Sequence, residues 1–141
     1  MHIRRAITLE LQEKLKNQPA FAGVWIQRIG PTRNSFPCIT LYAEAETVTV
    51  VSIHNPPRLQ ERTLTIAVNA WLRGTPDDEK VEADMDALAV LIESVITCPT
   101  LASDCLLVAT DFKVAEDEPE IHVITLTYHI SYFTPEFNPV N

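Results

Sequence analysis

The sequence predicts an α+β two-layer sandwich: a mixed or antiparallel sheet of about five strands with two helices packed on one of its faces. Three observations carry this expectation. Two segments place apolar residues at helical spacing, several others alternate apolar with polar residues, and the chain order is helix, three or four strands, helix, two strands. Two amphipathic helices need an apolar surface to cover, and one sheet supplies it.

The first helix carries Ile3, Ile7, Leu11 and Leu15 on one stripe, with Arg4, Arg5, Glu10, Glu13 and Lys14 between them. It should end near Asn17, because Pro19 disfavours helix in the residue before it. Val24-Trp25-Ile26-Gln27-Arg28-Ile29 is strand-prone and stops at Gly30-Pro31. Pro37 opens a second strand, with Ile39, Leu41 and Ala43 on one side and Thr40, Tyr42 and Glu44 on the other. After an expected bend, residues 47–53 continue in β character. Two prolines make His54-Asn55-Pro56-Pro57-Arg58 a loop. Leu64, Ile66, Val68 and Leu72 then alternate with Thr63, Thr65, Ala67, Asn69 and Trp71, the clearest strand in the chain.

Gly74-Thr75-Pro76 followed by three acids reads as a helix start, with Thr75 as N-cap and the acids near the positive end of the helix dipole. Val81, Met85, Leu88, Ile92, Val95 and Ile96 form its apolar stripe, and Pro99 closes it. Leu106, Val108, Thr110, Phe112 and Val114, then Ile124, Leu126, Tyr128, Ile130 and Tyr132, make two strands joined by an acidic turn, hence a hairpin. The expected organisation is a single domain over residues 1–133 and a proline-rich C-terminal arm over 134–141.

A chain of 141 residues fits one domain and buries enough surface to need no disulfide or metal. With 46 % hydrophobic and 21 % charged residues it has the composition of a globular protein. It shows neither an apolar run of membrane-spanning length nor a signal-peptide pattern, so a cytoplasmic protein is expected. Cys38, Cys98 and Cys105 are an odd number without a CxxC pair, which fits a reducing compartment. Cys98 and Cys105 could still approach each other across a loop.

Net charge −8 argues against nonspecific nucleic-acid binding, and its distribution says more. Residues 1–73 hold nine Lys/Arg and five Asp/Glu, net +4, whereas residues 74–141 hold two and fourteen, net −12. Sequence halves need not be spatial halves. If they are, a basic surface on one copy can meet an acidic surface on another.

Chemistry-bearing motifs are sparse. The three glycines are scattered, which excludes a P-loop or a dinucleotide fingerprint. The four histidines lack metal-ligand spacing, and His122 and His129 have opposite strand parity. No serine sits in a GxSxG elbow. Neither a cofactor nor a metal is therefore expected. Glu44 and Glu46, two apart on a strand, should share a face with roughly 7 Å between them. Paired carboxylates can divide acid and base work, but the flanking alanines and threonines offer no substrate platform, and a solvated or inter-subunit strand end is the favoured reading. Trp71 and Tyr42 fall on the parity away from the core, with Thr65, Thr127 and His129, and point to a sheet face that packs against another chain.

Several segments together resemble the tail terminator proteins of lambda-like phages, the minor tail protein U family. They are the Arg-bearing N-terminal helix, the Phe36-Pro37-Cys38-Ile39-Thr40-Leu41-Tyr42 strand ending in Glu, Arg62-Thr63-Leu64-Thr65-Ile66-Ala67-Val68, Asp86 to Glu93, and the closing strand from Leu126 to Phe133. The resemblance spans nearly the whole chain. It implies a structural, non-enzymatic protein that forms a hexameric ring on the finished tail tube, stops its polymerisation and prepares head joining. Such a protein would be a phage or prophage product, found in the host cytoplasm during assembly and in the virion tail.

The implied partners are further copies of itself, the tail tube protein and the head-tail connector, with no nucleic-acid sequence recognition and no membrane. The family has no catalytic motif to transfer. Arg4, Arg5, Glu44, Glu46, Arg58, Arg62, Trp71, Asp117 and Glu118 are the candidate inter-subunit or tube contacts. Two rivals stand beside this reading: a neck or head-completion connector, and a small hydrolase using Glu44 and Glu46 with a histidine.

Overall fold

In the computed structural model, residues 2–27, 36–51, 57–75, 79–115 and 118–136 are described. Ile3, Ile7, Leu11 and Leu15 are buried along one side of helix α1 (Ile3–Lys16), as their spacing predicts. Asn17 caps its C-terminus and His2 caps its N-terminus, the His2 ring accepting a hydrogen bond from the Arg4 amide at 3.0 Å. Helix α2 (Glu79–Val95) buries Val81, Met85, Leu88, Ala89 and Ile92. Thr75, expected as its N-cap, is exposed, and the rest of that turn lies outside the described residues.

Both helices cover one face of a five-stranded sheet of order β1-β2-β3-β5-β4. Its strands are β1 (Gly23–Ile26), β2 (Cys38–Val50), β3 (Leu59–Arg73), β4 (Asp104–Val114) and β5 (Ile121–Pro135). β1 runs parallel to β2 and every other neighbouring pair is antiparallel, so the sheet is mixed. The covered face is built in rows across the sheet: Ile39 beside Ala70 and Ile124, Leu41 beside Val68 and Leu126, Ala43 beside Ile66 and Tyr128. Each row continues the alternation read from sequence. Burying these rows under two helices is the main stabilising term, at about 25 cal/mol per Å² of apolar surface.

Three expectations need correction. The expected bend between two strands near Glu46 is a β-bulge inside one continuous β2, where the register shifts between Ala43 and Ala45. A bulge adds one residue and reverses the parity that follows. Glu44 and Glu46 therefore do not share a face. Glu46 stands opposite Leu64 on the helix-covered side, while Glu44 lines a concavity on the other. Second, the chain stays in regular structure past residue 133: β5 runs to Pro135, with Thr134 beside Gln60, because proline is tolerated at a strand end. The remaining tail positions, 137–141, lie outside the described residues. Third, a bulge between Leu107 and Ala109 breaks the alternation expected along β4.

The strand order keeps the strands of the two sequence halves apart in space. β1, β2 and β3 lie toward one edge of the sheet and β5 and β4 toward the other, with α1 over the first edge and α2 over β3 and β5 in the middle. Among the described residues the first half carries seven Lys/Arg against five Asp/Glu, and the second half two against ten.

Candidate functional site

The reversed parity of Glu46 aims its carboxylate at the N-terminal turn of α1 (Ile3–Lys16), beyond the end of the apolar rows. There Oε2 accepts from Arg4 Nη1 at 3.0 Å and from Arg62 Nη1 at 3.1 Å, while Oε1 accepts from the Tyr132 hydroxyl. Arg62 is held further by Thr134 Oγ1 at 3.2 Å and Gln60 Oε1 at 3.3 Å. The side chain of Glu46 is 9 % exposed and that of Arg62 16 %, so both charges are largely removed from water. Such a carboxylate persists only when paired and hydrogen-bonded, and Glu46 has three donors.

Burial, then the bond to Glu46, pushes the Tyr132 phenol well above its ordinary value, so it remains a donor. His2 stacks edge-on against Tyr132, ring centroids 6.5 Å apart. Burial, and next the Arg4 charge, hold its imidazole below the usual histidine range. That favours the neutral ring whose Nδ1 caps α1. A second pair, Arg58 Nε to Glu136 Oε2 at 2.8 Å, ties the end of β5 (Ile121–Pro135) to the start of β3 (Leu59–Arg73).

The uncovered sheet face carries Thr40, Asn69 and Thr125 in one row and Tyr42, Ala67 and Thr127 in the next. The Trp71 indole N–H donates to Thr40 Oγ1 at 3.0 Å, and Thr125 Oγ1 donates to Asn69 Oδ1 at 2.7 Å. Tyr42, Glu44, Asn69, Trp71 and Lys113 line a shallow concavity of about 380 Å³ there. His129 lies on this face and His122 is buried on the other, as their parity requires. Among the described residues no three His, Cys, Asp or Glu side chains converge as metal ligands would.

The two long sides of the sheet differ. β1 ends at Ile26, and Gln27, in the left-handed region at φ 57°, folds its side chain back so that Oε1 accepts from the Ala43 amide at 2.8 Å. Beyond that point residues 44–50 of β2 (Cys38–Val50) pair only with β3 among the described residues. On the far side β4 (Asp104–Val114) pairs, among the described residues, only with β5 and exposes Leu106, Val108, Phe112 and Val114, with Phe112 59 % exposed.

The structure thus brings Arg4, Glu46 and Arg62 together inside the chain and separates Glu44 from them. Arg58 is paired with Glu136, Arg5 is exposed beside a small groove formed with Thr8, Ile26 and Gln27, and Glu118 is exposed in the turn before β5. Asp117 lies outside the described residues. Tyr132, Thr134, Gln60, His2 and Glu136 join the polar clusters without having been singled out from sequence. For Tyr132 and Arg62 a signal existed: a polar head and a cation on core parity at the end of an apolar row. The acid pair required by a Glu44/Glu46 hydrolase does not converge.

No family model matches the sequence, and no curated protein matches it. Among solved structures the fold is similar to that of a chain in "Virion of native gene transfer agent (GTA) particle". The TM-score is 0.55 at 12 % identity, over 88 % of this chain and 92 % of that one. The shared class is therefore an α+β sandwich whose two-layer plan runs nearly end to end in both chains. No helix among the described residues is long and apolar enough to cross a membrane.

Proposed function

We propose that this protein is a structural component of a phage or phage-like tail, a tail terminator that forms a ring on the tail tube, stops its polymerisation and prepares head joining. The observation that carries the reading is the similarity of fold, over 88 % of this chain, to a chain of a gene transfer agent virion. The two unlike sides of the sheet sharpen it. A head-to-tail ring needs a heterologous interface, in which one surface of each copy meets a different surface of the next. The exposed apolar side at β4 (Asp104–Val114) and the side formed by the Arg-bearing first turn of α1 are two such unlike surfaces.

On this reading the protein works without a cofactor, with its own copies, the tail tube protein and the head-tail connector as partners, in the host cytoplasm and in the virion tail. Arg5, Glu44, Trp71 and Glu118 remain proposed contacts, together with Asp117. Arg4, Glu46, Arg58 and Arg62 contribute mainly by holding the fold, because their charges are engaged within the chain.

Electron microscopy of the purified protein, alone and mixed with tail tubes, tests the proposal. Six-fold rings seated on tube ends are expected. A protein that stays monomeric at high concentration and leaves tubes uncapped would refute it. Binding to portal complexes in preference to tubes would select the neck connector instead.

A further inference from the structure

We infer that copies of this chain join by strand addition, β4 (Asp104–Val114) of one copy pairing antiparallel with residues 44–50 of β2 in the next. The inference rests on the ring reading and names the interface that closes it. Three independent features converge on it: backbone direction, side-chain chemistry and strand polarity.

The backbone groups come first. The Val51 amide donates to Leu59 O at 2.9 Å, so at this end of β2 the odd-numbered residues address β3. Alternation then turns the N–H and C=O of Val48 and Val50 toward the open side. The Ala115 amide likewise donates to Ile121 O at 2.9 Å, which turns those of Phe112 and Val114 outward from β4. Among the described residues each side thus offers a row of donors and acceptors outside the ladder, the feature that natural edge strands must cover, charge or pair.

The side chains match. Val48 lies in the row of Arg62 and Tyr132, and Phe112 in the row of Ile124, so both stand on the helix-covered face. Val48, Val50, Phe112 and Val114 are all exposed in one copy. Pairing β4 with β2 would set these apolar residues side by side, the arrangement that stabilises cross-strand pairs.

Strand polarity decides the orientation. β2 and β5 run one way, β3 and β4 the other. A second copy moved sideways without being turned over, and slid along the strands by about ten residues (roughly 30 Å) so that β1 is cleared, therefore presents β2 antiparallel to the Phe112–Val114 end of β4. The same step can repeat from copy to copy, as a ring requires.

Proline substitution tests the inference. Val48→Pro removes an outward amide and should leave the monomer folded, because proline is tolerated where the N–H faces away from the ladder. It should weaken assembly about tenfold or more, read by sedimentation and by counting rings. Thr49→Pro, the control, removes an amide aimed at β3 and should unfold the chain. A disulfide between Val50→Cys and Phe112→Cys, in a Cys98→Ser background, should link copies into a ladder only when both substitutions are present. If Val48→Pro folds and forms normal rings, or wild-type rings form and the double cysteine gives no ladder, strand addition is wrong while the ring stands. If the wild type never assembles, even on tail tubes, both fall.

Discussion

β2 (Cys38–Val50) and β4 (Asp104–Val114) are both long strands interrupted by one bulge, yet the bulges lead to opposite outcomes. In β2 the bulge swings Glu46 under α1, where two guanidinium groups and a phenol meet it. In β4 the bulge changes which residues face the helices, but neither helix reaches far enough to cover them, and both faces of the strand stay open. The first region spends its polar groups on its own fold. The second leaves apolar and acidic groups for another molecule, so substitutions in the two regions should fail different assays.

The largest expected effect on stability is at Glu46. Glu46→Ala strands Arg62, which is mostly buried, and leaves Tyr132 without its acceptor; breaking such a pair costs about 3 kcal/mol. The more exposed Arg4 contributes less. Glu44→Ala, two positions away on the open face, should change stability by about 0.5 kcal/mol or less. Denaturant unfolding of both variants checks the contrast, and equal losses would break it. Phe112→Lys should behave in the opposite sense, keeping the unfolding midpoint while losing assembly.

Two tyrosines one helical-turn spacing apart in sequence, but on the same strand, sharpen the comparison. Tyr132→Phe removes the donor to a buried carboxylate and should cost about 1 to 3 kcal/mol. Tyr128 has a buried hydroxyl with no partner among the described residues, and burial, followed by the Glu93 charge, pushes its phenol up to about 12. Tyr128→Phe removes an unsatisfied group and should be neutral or slightly stabilising, again by unfolding midpoint. Both phenols are raised, so their contribution is complete below the ordinary tyrosine value near 10 and is lost as pH climbs above it.

How far these differences could be read in advance depends on what sets them. The two helices, their apolar stripes and the hairpin of the last two strands follow from periodicity, which is local. The Glu46 network does not, because it depends on one inserted residue. Without the bulge, Glu44 and Glu46 share a face; with it, they part, and no strong local signal in the Ala43 to Ala45 stretch announces the insertion. The charge division could be counted in the sequence, but its meaning awaited the strand order, which sets the strands of the two halves toward opposite edges. The bareness of β4 was hidden for a similar reason. Alternation announces a strand with one buried face, whereas burial depends on how far α2 reaches.

His2 offers a pH-dependent view of the same polar cluster. Burial and the Arg4 charge depress its folded-state value below the ordinary histidine value of 6.5. A depressed group gives stability that is present above the unfolded value and lost as pH falls through the folded one. Wild type should therefore lose stability on acidification below about pH 6.5, as protonation removes the Nδ1 acceptor that caps α1. His2→Asn, which retains a capping oxygen, should flatten that acid limb and leave stability at pH 8 within about 1 kcal/mol of wild type. Parallel acid limbs in the two proteins would remove His2 from the account.

The smallest expected effect lies in thiol reactivity beside β4. Cys98 is exposed, Cys105 half-buried and Cys38 buried. Burial, then the neighbouring Cys98 and Asp104, pushes the Cys105 thiol up to about 11, so little thiolate exists there at pH 8. Iodoacetamide at that pH should label Cys98 first and Cys105 slowly, with Cys38 labelled only on unfolding; mass spectrometry of the peptides reads the order. Cys105 starts the strand proposed to pair with a neighbouring copy, so assembly should slow its labelling further while changing Cys98 less. Equal slowing at both thiols would mean that the contact covers the end of α2 as much as the strand, and would shift the boundary between the two regions toward the helix.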